Sequence, residues 1–262
     1  MKSLASALSK VVPYRAVPDD SQCPQCGYFD IYHPGLRQIF RERAGGAEAR
    51  LGQLLNMARC KCAGLKEQRQ RDVHLRCEQA NLPRRPVERT FDLFKPVVGT
   101  EEMLEAAHAF VEGAKRRCLV LVGPVGVGKS HVLEAICREY LKGGRSVRYD
   151  MVSAFLDRLR GTYTDGAKED VVELMDWYGS RKLVALDDLG MERGTEWGAE
   201  KLTALVDQRL RDGRDLVVAT NRSEAEMRVY SERLASRLFG DNAALGDVQV
   251  ITVHAPDYRR KV

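Results

Sequence analysis

From residue 101 onward the chain alternates between two hydrophobic patterns. Met103, Leu104, Ala107, Phe110, Val111 and Ala114 recur at three- and four-residue intervals, the spacing of one helix face over residues 101–115. Residues 118–122, Cys-Leu-Val-Leu-Val, form an unbroken apolar run suited to a strand buried on both faces of a parallel sheet. The two patterns then repeat. A helix is expected over 130–142, ended by Gly143 and Gly144, then a strand over 146–149 and a helix over 153–160 with Ser153 as N-cap. Further strands are expected over 183–186, 216–219 and 248–253, and Leu202, Leu205, Val206 and Leu210 share one helix face between them. This succession predicts an α/β fold, a parallel sheet flanked by helices.

The front of the chain differs. Residues 1–80 show weak periodicity and hold five of the seven cysteines. Prolines at 83, 86 and 96 mark 81–96 as a linker. The expected organisation is an N-terminal cysteine-rich module at 1–80, a linker at 81–96 and the α/β domain at 97–262.

Charge follows the same division. The net charge is +5, yet residues 1–89 carry 16 lysines and arginines against 9 aspartates and glutamates, and the rest carry 26 against 28. A basic front suits a DNA backbone or an acidic protein face, although exposed arginines are equally a solvated surface. With 30% charged residues and no apolar run longer than 118–122, a membrane protein is not expected. The first ten residues are too short and polar for a signal peptide, so the expected location is the cytoplasm.

The chemistry begins directly after the first strand. Gly123, Pro124, Val125, Gly126, Val127, Gly128, Lys129 and Ser130 match the phosphate-binding P-loop, or Walker A, pattern and lie between a predicted strand and a predicted helix. Glycines let the loop curl so that backbone N–H groups face phosphate oxygens, and the helix N-terminus adds its positive end. Lys129 is expected to reach the β- and γ-phosphates of ATP, and the Ser130 hydroxyl to reach Mg²⁺. Residues 183–188, Leu-Val-Ala-Leu-Asp-Asp, read as an apolar strand ending in two carboxylates, a Walker B segment. Asp187 is expected to orient the metal and Asp188 to polarise the attacking water, the competing reading being a pair of helix N-caps. Asn221 ends the strand at 216–219 and is aimed at the γ-phosphate or the water, or else simply makes a turn.

Taken together, these segments resemble the DnaC-type helicase loaders and the related IstB-type transposition-helper ATPases of the AAA+ class. The resemblance is carried by Gly126-Val-Gly-Lys-Ser-His-Val-Leu133, Leu186-Asp-Asp-Leu-Gly-Met-Glu-Arg-Gly-Thr-Glu-Trp197, Ala219-Thr-Asn-Arg222, Glu232-Arg-Leu-Ala-Ser-Arg-Leu238 and Pro256-Asp-Tyr-Arg259, with the lead-in Arg89-Thr-Phe-Asp-Leu-Phe94. It covers residues 83–260. It implies an AAA+ P-loop core and ATP hydrolysis, with Asn221 as first sensor and Arg237 as the finger that reaches a neighbour's ATP. It further implies a replicative ring helicase and single-stranded DNA as partners, with assembly in the ATP state. Arg259 falls in a segment resembling a second sensor, and because only residues 257–262 follow the strand region, the AAA+ helical lid is expected to be missing.

In the front module, Cys23 and Cys26 form a CxxC pair and Cys60 and Cys62 a CxC pair. Two such hooks can close a tetrahedral Zn²⁺ site of four thiolates, with plain or redox thiols and an iron–sulfur cluster as alternatives. His33 and His74 could replace a ligand, and Cys77 has no assigned role. A transposition helper, a small-molecule kinase and a zinc-dependent DNA-binding adaptor remain rival functions to the helicase loader.

Overall fold

The computed structural model describes residues 73–258 apart from 86, 114–115, 164–169, 192–194 and 241–245. The chain divides into two units between Arg76 and Cys77, with Lys142–Gly144 falling with the first. The elements below belong to the second unit, the last residue of α2 excepted.

Helix α1 (Glu101–Glu112) turns Met103, Ala106, Ala107 and Phe110 inward and ends at Gly113, whose φ of 95° is a left-handed C-cap. Strand β1 (Cys118–Val122) is buried along its whole length, and α2 (Lys129–Lys142) follows it. Next come β2 (Val147–Met151), α3 (Val152–Gly161), α4 (Val171–Ser180), β3 (Leu183–Leu189) and α5 (Glu196–Arg211). The unit continues with β4 (Asp215–Thr220), α6 (Glu224–Tyr230), α7 (Glu232–Phe239) and β5 (Val248–Thr252).

All strand pairs are parallel, in the order β2-β3-β4-β1-β5. β1 therefore lies between β4 and β5, while the chain leaving it crosses through α2 to the far edge. Ligands of open α/β sheets bind beyond the carboxyl ends of strands where the order reverses in this way. Here the ends of β1, β4 and β3 stand side by side.

Four helices start on side-chain caps. Asp170 accepts from the Val172 N–H, Thr195 from Gly198 and Ser231 from Leu234, while Ser223 and Glu226 form a reciprocal capping box. The expected Ser153 cap is corrected: α3 begins at Val152, its N-cap is Met151, and no side chain bonds there. The structure also adds α4, α6 and α7, which hydrophobic spacing alone did not predict. Arg209 on α5 is buried and donates to the carbonyls of Tyr178 at 2.7 Å, Arg181 at 3.0 Å and Asp215 at 2.6 Å, joining the end of α4 to the start of β4. Burial pushes its pKa down to about 10.

Candidate functional site

The loop between β1 and α2 depends on its glycines. Gly126 and Gly128 have φ of 89° and 95°, in the region other residues avoid. A Cβ on Gly126 would lie 1.8 Å from an Asp257 carboxylate oxygen, and one on Gly128 would lie 2.7 Å from the Phe94 ring. Torsion favours glycine at both positions, and at Gly128 the Phe94 ring leaves no room for a Cβ. Lys129 is buried, and its ammonium donates to the carbonyls of Gly123 at 2.8 Å and Pro124 at 2.7 Å and to Asn221 Oδ1 at 2.8 Å. The P-loop lysine and the tip of β4 are thereby in direct contact, although 92 positions separate them.

The carboxylate pair lies on the neighbouring strand. Asp187 is buried, accepts from the Tyr149 hydroxyl at 2.7 Å through Oδ2, and accepts from the Asp188 N–H at 3.0 Å through Oδ1. Burial first, then the Asp187 charge, drive the Tyr149 pKa upward, so the phenol keeps its proton and donates it. Asp188 has φ of 57°. Leu186 pairs with Val218 and Leu189 with Thr220, so β3 inserts one extra residue there, a bulge. Aspartate tolerates the left-handed region better than most residues. The bulge separates the two carboxylates: Asp188 lines a cavity with Lys129, Ser130 and Asn221, and Asp187 is not among its lining residues.

That cavity measures about 500 Å³ and has a second wall. Arg89, Leu93 and Phe94 from the lead-in and Tyr258 from the segment after β5 line it. Phe94 meets the rings of His131 at 5.1 Å and Tyr258 at 5.6 Å, both edge-on. The lead-in is held along α2. His131 Nε2 donates to the Thr90 carbonyl at 2.8 Å, and burial pushes its pKa down, favouring the neutral ring. Glu134, fully buried, accepts from Arg85 Nε at 3.2 Å and Arg89 Nη1 at 2.9 Å, and Arg138 pairs with Glu88 at 3.0 Å. On the other side the Tyr258 N–H donates to the Gly126 carbonyl at 3.0 Å, fixing the returning segment to the loop.

The donor chemistry suits Mg²⁺ on a nucleotide. Mg²⁺ takes oxygen ligands, keeps several waters and is held by one or two carboxylates plus phosphates. Ser130 supplies a hydroxyl beside the loop, and Asp187 and Asp188 supply carboxylates at the adjoining strand end.

The sequence pattern of the family described as IstB-like ATP binding protein matches residues 41–261. The chain belongs to this family. It thereby falls in the AAA+ ATPase superfamily that includes DnaA, DnaC, DnaI and IstB. It is 31% identical over 105 residues to an ATP-binding protein in an insertion sequence of Mycobacterium tuberculosis, covering 40% of this chain and 41% of the relative. It is 25% identical over 168 residues to the replicative helicase loader DnaC of Escherichia coli, covering 63% and 66%. The chain thus spans less than two thirds of the length of these relatives. Domain III of the Thermotoga maritima replication initiation protein DnaA superposes with a TM-score of 0.57 at 22% identity, over 67% of this chain and 70% of that one. At that identity the likeness is one of fold.

Within this IstB-like fold, Gly123, Pro124, Val125, Gly126, Val127, Gly128, Lys129 and Ser130 form the β1–α2 junction, and Asp187, Asp188 and Asn221 gather beside it. Arg237 lies elsewhere: it sits on α7, pairs with Asp207 on α5, and is not among the cavity-lining residues. Arg259 and His33 lie outside the described residues. His74 is exposed, and the buried Cys77 sulfur accepts from Arg138 Nη1 at 3.5 Å.

The expected Zn²⁺ centre is corrected. Among the described residues no group of three or more His, Cys, Asp or Glu could hold a metal ion. A tetrahedral site needs four donors converging on one point. The described cysteines Cys77, Cys118 and Cys137 are each buried in the α/β unit, without such a group. Cys23, Cys26, Cys60 and Cys62 lie outside the described residues. Among the described residues no helix is long and apolar enough to cross a membrane.

Spacing did not reveal Tyr149, Glu134 or the pairing of Phe94 with Tyr258. The available signals were a Tyr-Asp step within the short strand Val147–Met151 and aromatic residues in the two flanking motifs.

Proposed function

We propose that this IstB-like chain is a Mg²⁺-dependent ATPase that loads or remodels a replicative ring helicase, acting as a nucleotide switch together with single-stranded DNA. The observation that carries the nucleotide part is the convergence of Lys129, Ser130, Asp188 and Asn221 on one cavity, with Asp187 behind them. In this reading Lys129 leaves its carbonyl partners for the β- and γ-phosphates, and Asn221, already at its side, contacts the γ-phosphate or the water. Asp187 orients Mg²⁺ through its water shell and Asp188 polarises the attacking water. Leu93, Phe94 and Tyr258 receive the base. Arg237, away from its own chain's cavity, reaches a neighbour's ATP, which ties hydrolysis to assembly. Residues 1–80 form a partner- or DNA-binding module and 81–96 connect it to the ATPase domain.

The helicase part is supported by the similarity to the Escherichia coli loader. A second reading, a transposition helper acting on DNA, is favoured by the family description and by the relative encoded in an insertion sequence. Affinity capture with the full chain tests both, using a purified replicative helicase and a purified transposase with ATP, ADP or neither. ATP-dependent retention of the helicase supports the loader reading. Retention of the transposase alone replaces it with the helper reading.

A further inference from the structure

We infer that Tyr149 is a positioning residue for hydrolysis, and that docking of Ala80 and Asn81 on β2 sets how well it works. The inference rests on the reading of Asp187 as the carboxylate that orients Mg²⁺, and it extends that site to two elements with no catalytic motif.

The Tyr149 hydroxyl is the donor that fixes Asp187 Oδ2, at 2.7 Å, and both groups are buried. The Asp188 N–H fixes the other oxygen at 3.0 Å. A buried carboxylate held at both oxygens has one orientation, so its remaining lone pairs point in set directions and would be available to orient Mg²⁺. Without the phenol, Oδ2 would lose its hydrogen bond in a site with little access to solvent, and the carboxylate would rotate to recover one. A donor that fixes a carboxylate beside a metal site in this way would set the direction in which that carboxylate acts.

Tyr149 is itself held from outside the sheet. β2 is the edge strand, and the backbone N–H of Tyr149 donates to the Ala80 carbonyl at 2.8 Å. The Asn81 amide donates to the Tyr149 carbonyl at 3.2 Å and to Asp150 Oδ1 at 2.7 Å. Asn81 has φ of 60°, which turns its side chain back onto the strand that Ala80 has just met. The segment preceding the lead-in therefore grips the backbone of the residue whose side chain holds Asp187. Movement of this segment shifts Tyr149, and through it the metal-orienting carboxylate.

Tyr149→Phe keeps the ring and removes only the hydroxyl. The expected outcome is a kcat for ATP lowered roughly tenfold, the scale of one hydrogen bond to a charged group, with KM for ATP raised only by the loss of Mg²⁺-dependent affinity. Nucleotide binding gives a readout independent of turnover. With a fluorescent ATP analogue, Tyr149→Phe should match the unmodified chain in EDTA and lose several-fold of the affinity gained on adding Mg²⁺. Asn81→Gly keeps the positive φ accessible and should move both quantities the same way by a smaller factor. The double variant should be no worse than Tyr149→Phe alone, because both act on one carboxylate. Unchanged kcat and unchanged Mg²⁺ enhancement in Tyr149→Phe, with normal turnover in the unmodified chain, overturn the inference and leave the ATPase reading standing. Equal loss of affinity with and without Mg²⁺ also overturns it, since that marks a general structural role. No Mg²⁺-dependent ATP turnover in the unmodified chain overturns the ATPase reading and this inference with it.

Discussion

The two ends of the cavity were assembled in different ways. At the phosphate end, Lys129 and Ser130 come from one short motif, and Asp188 and Asn221 come from neighbouring strand ends. At the far end, Phe94 and Tyr258 come from segments over 160 positions apart and meet only because one is tied to α2 and the other to the P-loop. On the proposed reading, the first end addresses what every nucleoside triphosphate carries, a charged phosphate chain. The second presents rings and an apolar side chain, which on the same reading receive the base. The phosphate end thus has a core that is local in sequence, joined by two strand ends, whereas the far end is wholly a product of folding.

The largest effect should fall at the phosphate end. Lys129→Ala removes the buried ammonium and should lower turnover by roughly 10³ or more, with ATP and inorganic tripolyphosphate both losing affinity. Phosphate release and competition binding measure this, and normal turnover would break the phosphate-end assignment. Arg237→Ala belongs to neither end and should leave ATP binding near normal while lowering hydrolysis by about 10³. Mixing it with Lys129→Ala should restore part of the activity if one chain supplies the finger and the other the pocket. Absence of rescue at every ratio, with turnover independent of protein concentration, would return Arg237 to its surface pairing with Asp207.

At the far end, Phe94→Leu retains apolar volume and removes the aromatic face. ATP should bind roughly tenfold more weakly, within the range for base–aromatic stacking, while tripolyphosphate binding stays the same. Parallel losses for both ligands would erase the proposed division of labour. Smallest in effect is Glu134→Gln, which takes the charge from a buried carboxylate whose partners Arg85 and Arg89 are about one-third exposed. Solvent screening of those arginines limits the expected loss to about 1–2 kcal/mol. Thermal unfolding should show this as a shift of roughly 3–6 °C.

The sheet was legible because parallel strands buried on both faces are short apolar runs, as residues 118–122 show. The helices missed are the ones whose burial is carried by few residues. In α4 only Leu174, Tyr178 and Gly179 are buried, and in α6 only Met227, too few to set a period. Their starts were nevertheless written in the sequence: Asp170 caps one, and Ser223 with Glu226 forms the capping box of the other. Walker A and the Walker B pair were legible as motifs because their chemistry needs neighbouring residues on one loop or one strand end. Tyr149 and Glu134 were not, since each is an ordinary residue until its distant partner arrives. The extension of β3 past residue 186 was hidden for a related reason. Two aspartates look like the end of a strand, and only the bulge lets pairing resume at Leu189.

That bulge also bears on which acid the site can hold. Asp188 sits at φ of 57°, a torsion that glycine adopts freely and that aspartate and asparagine tolerate better than other residues. A glutamate there would extend further toward an attacking water, but the backbone at that position opposes it. On the proposed reading, one torsion angle favours the shorter acid where the attacking water would be polarised, so the choice of catalytic carboxylate is written into the geometry of a strand.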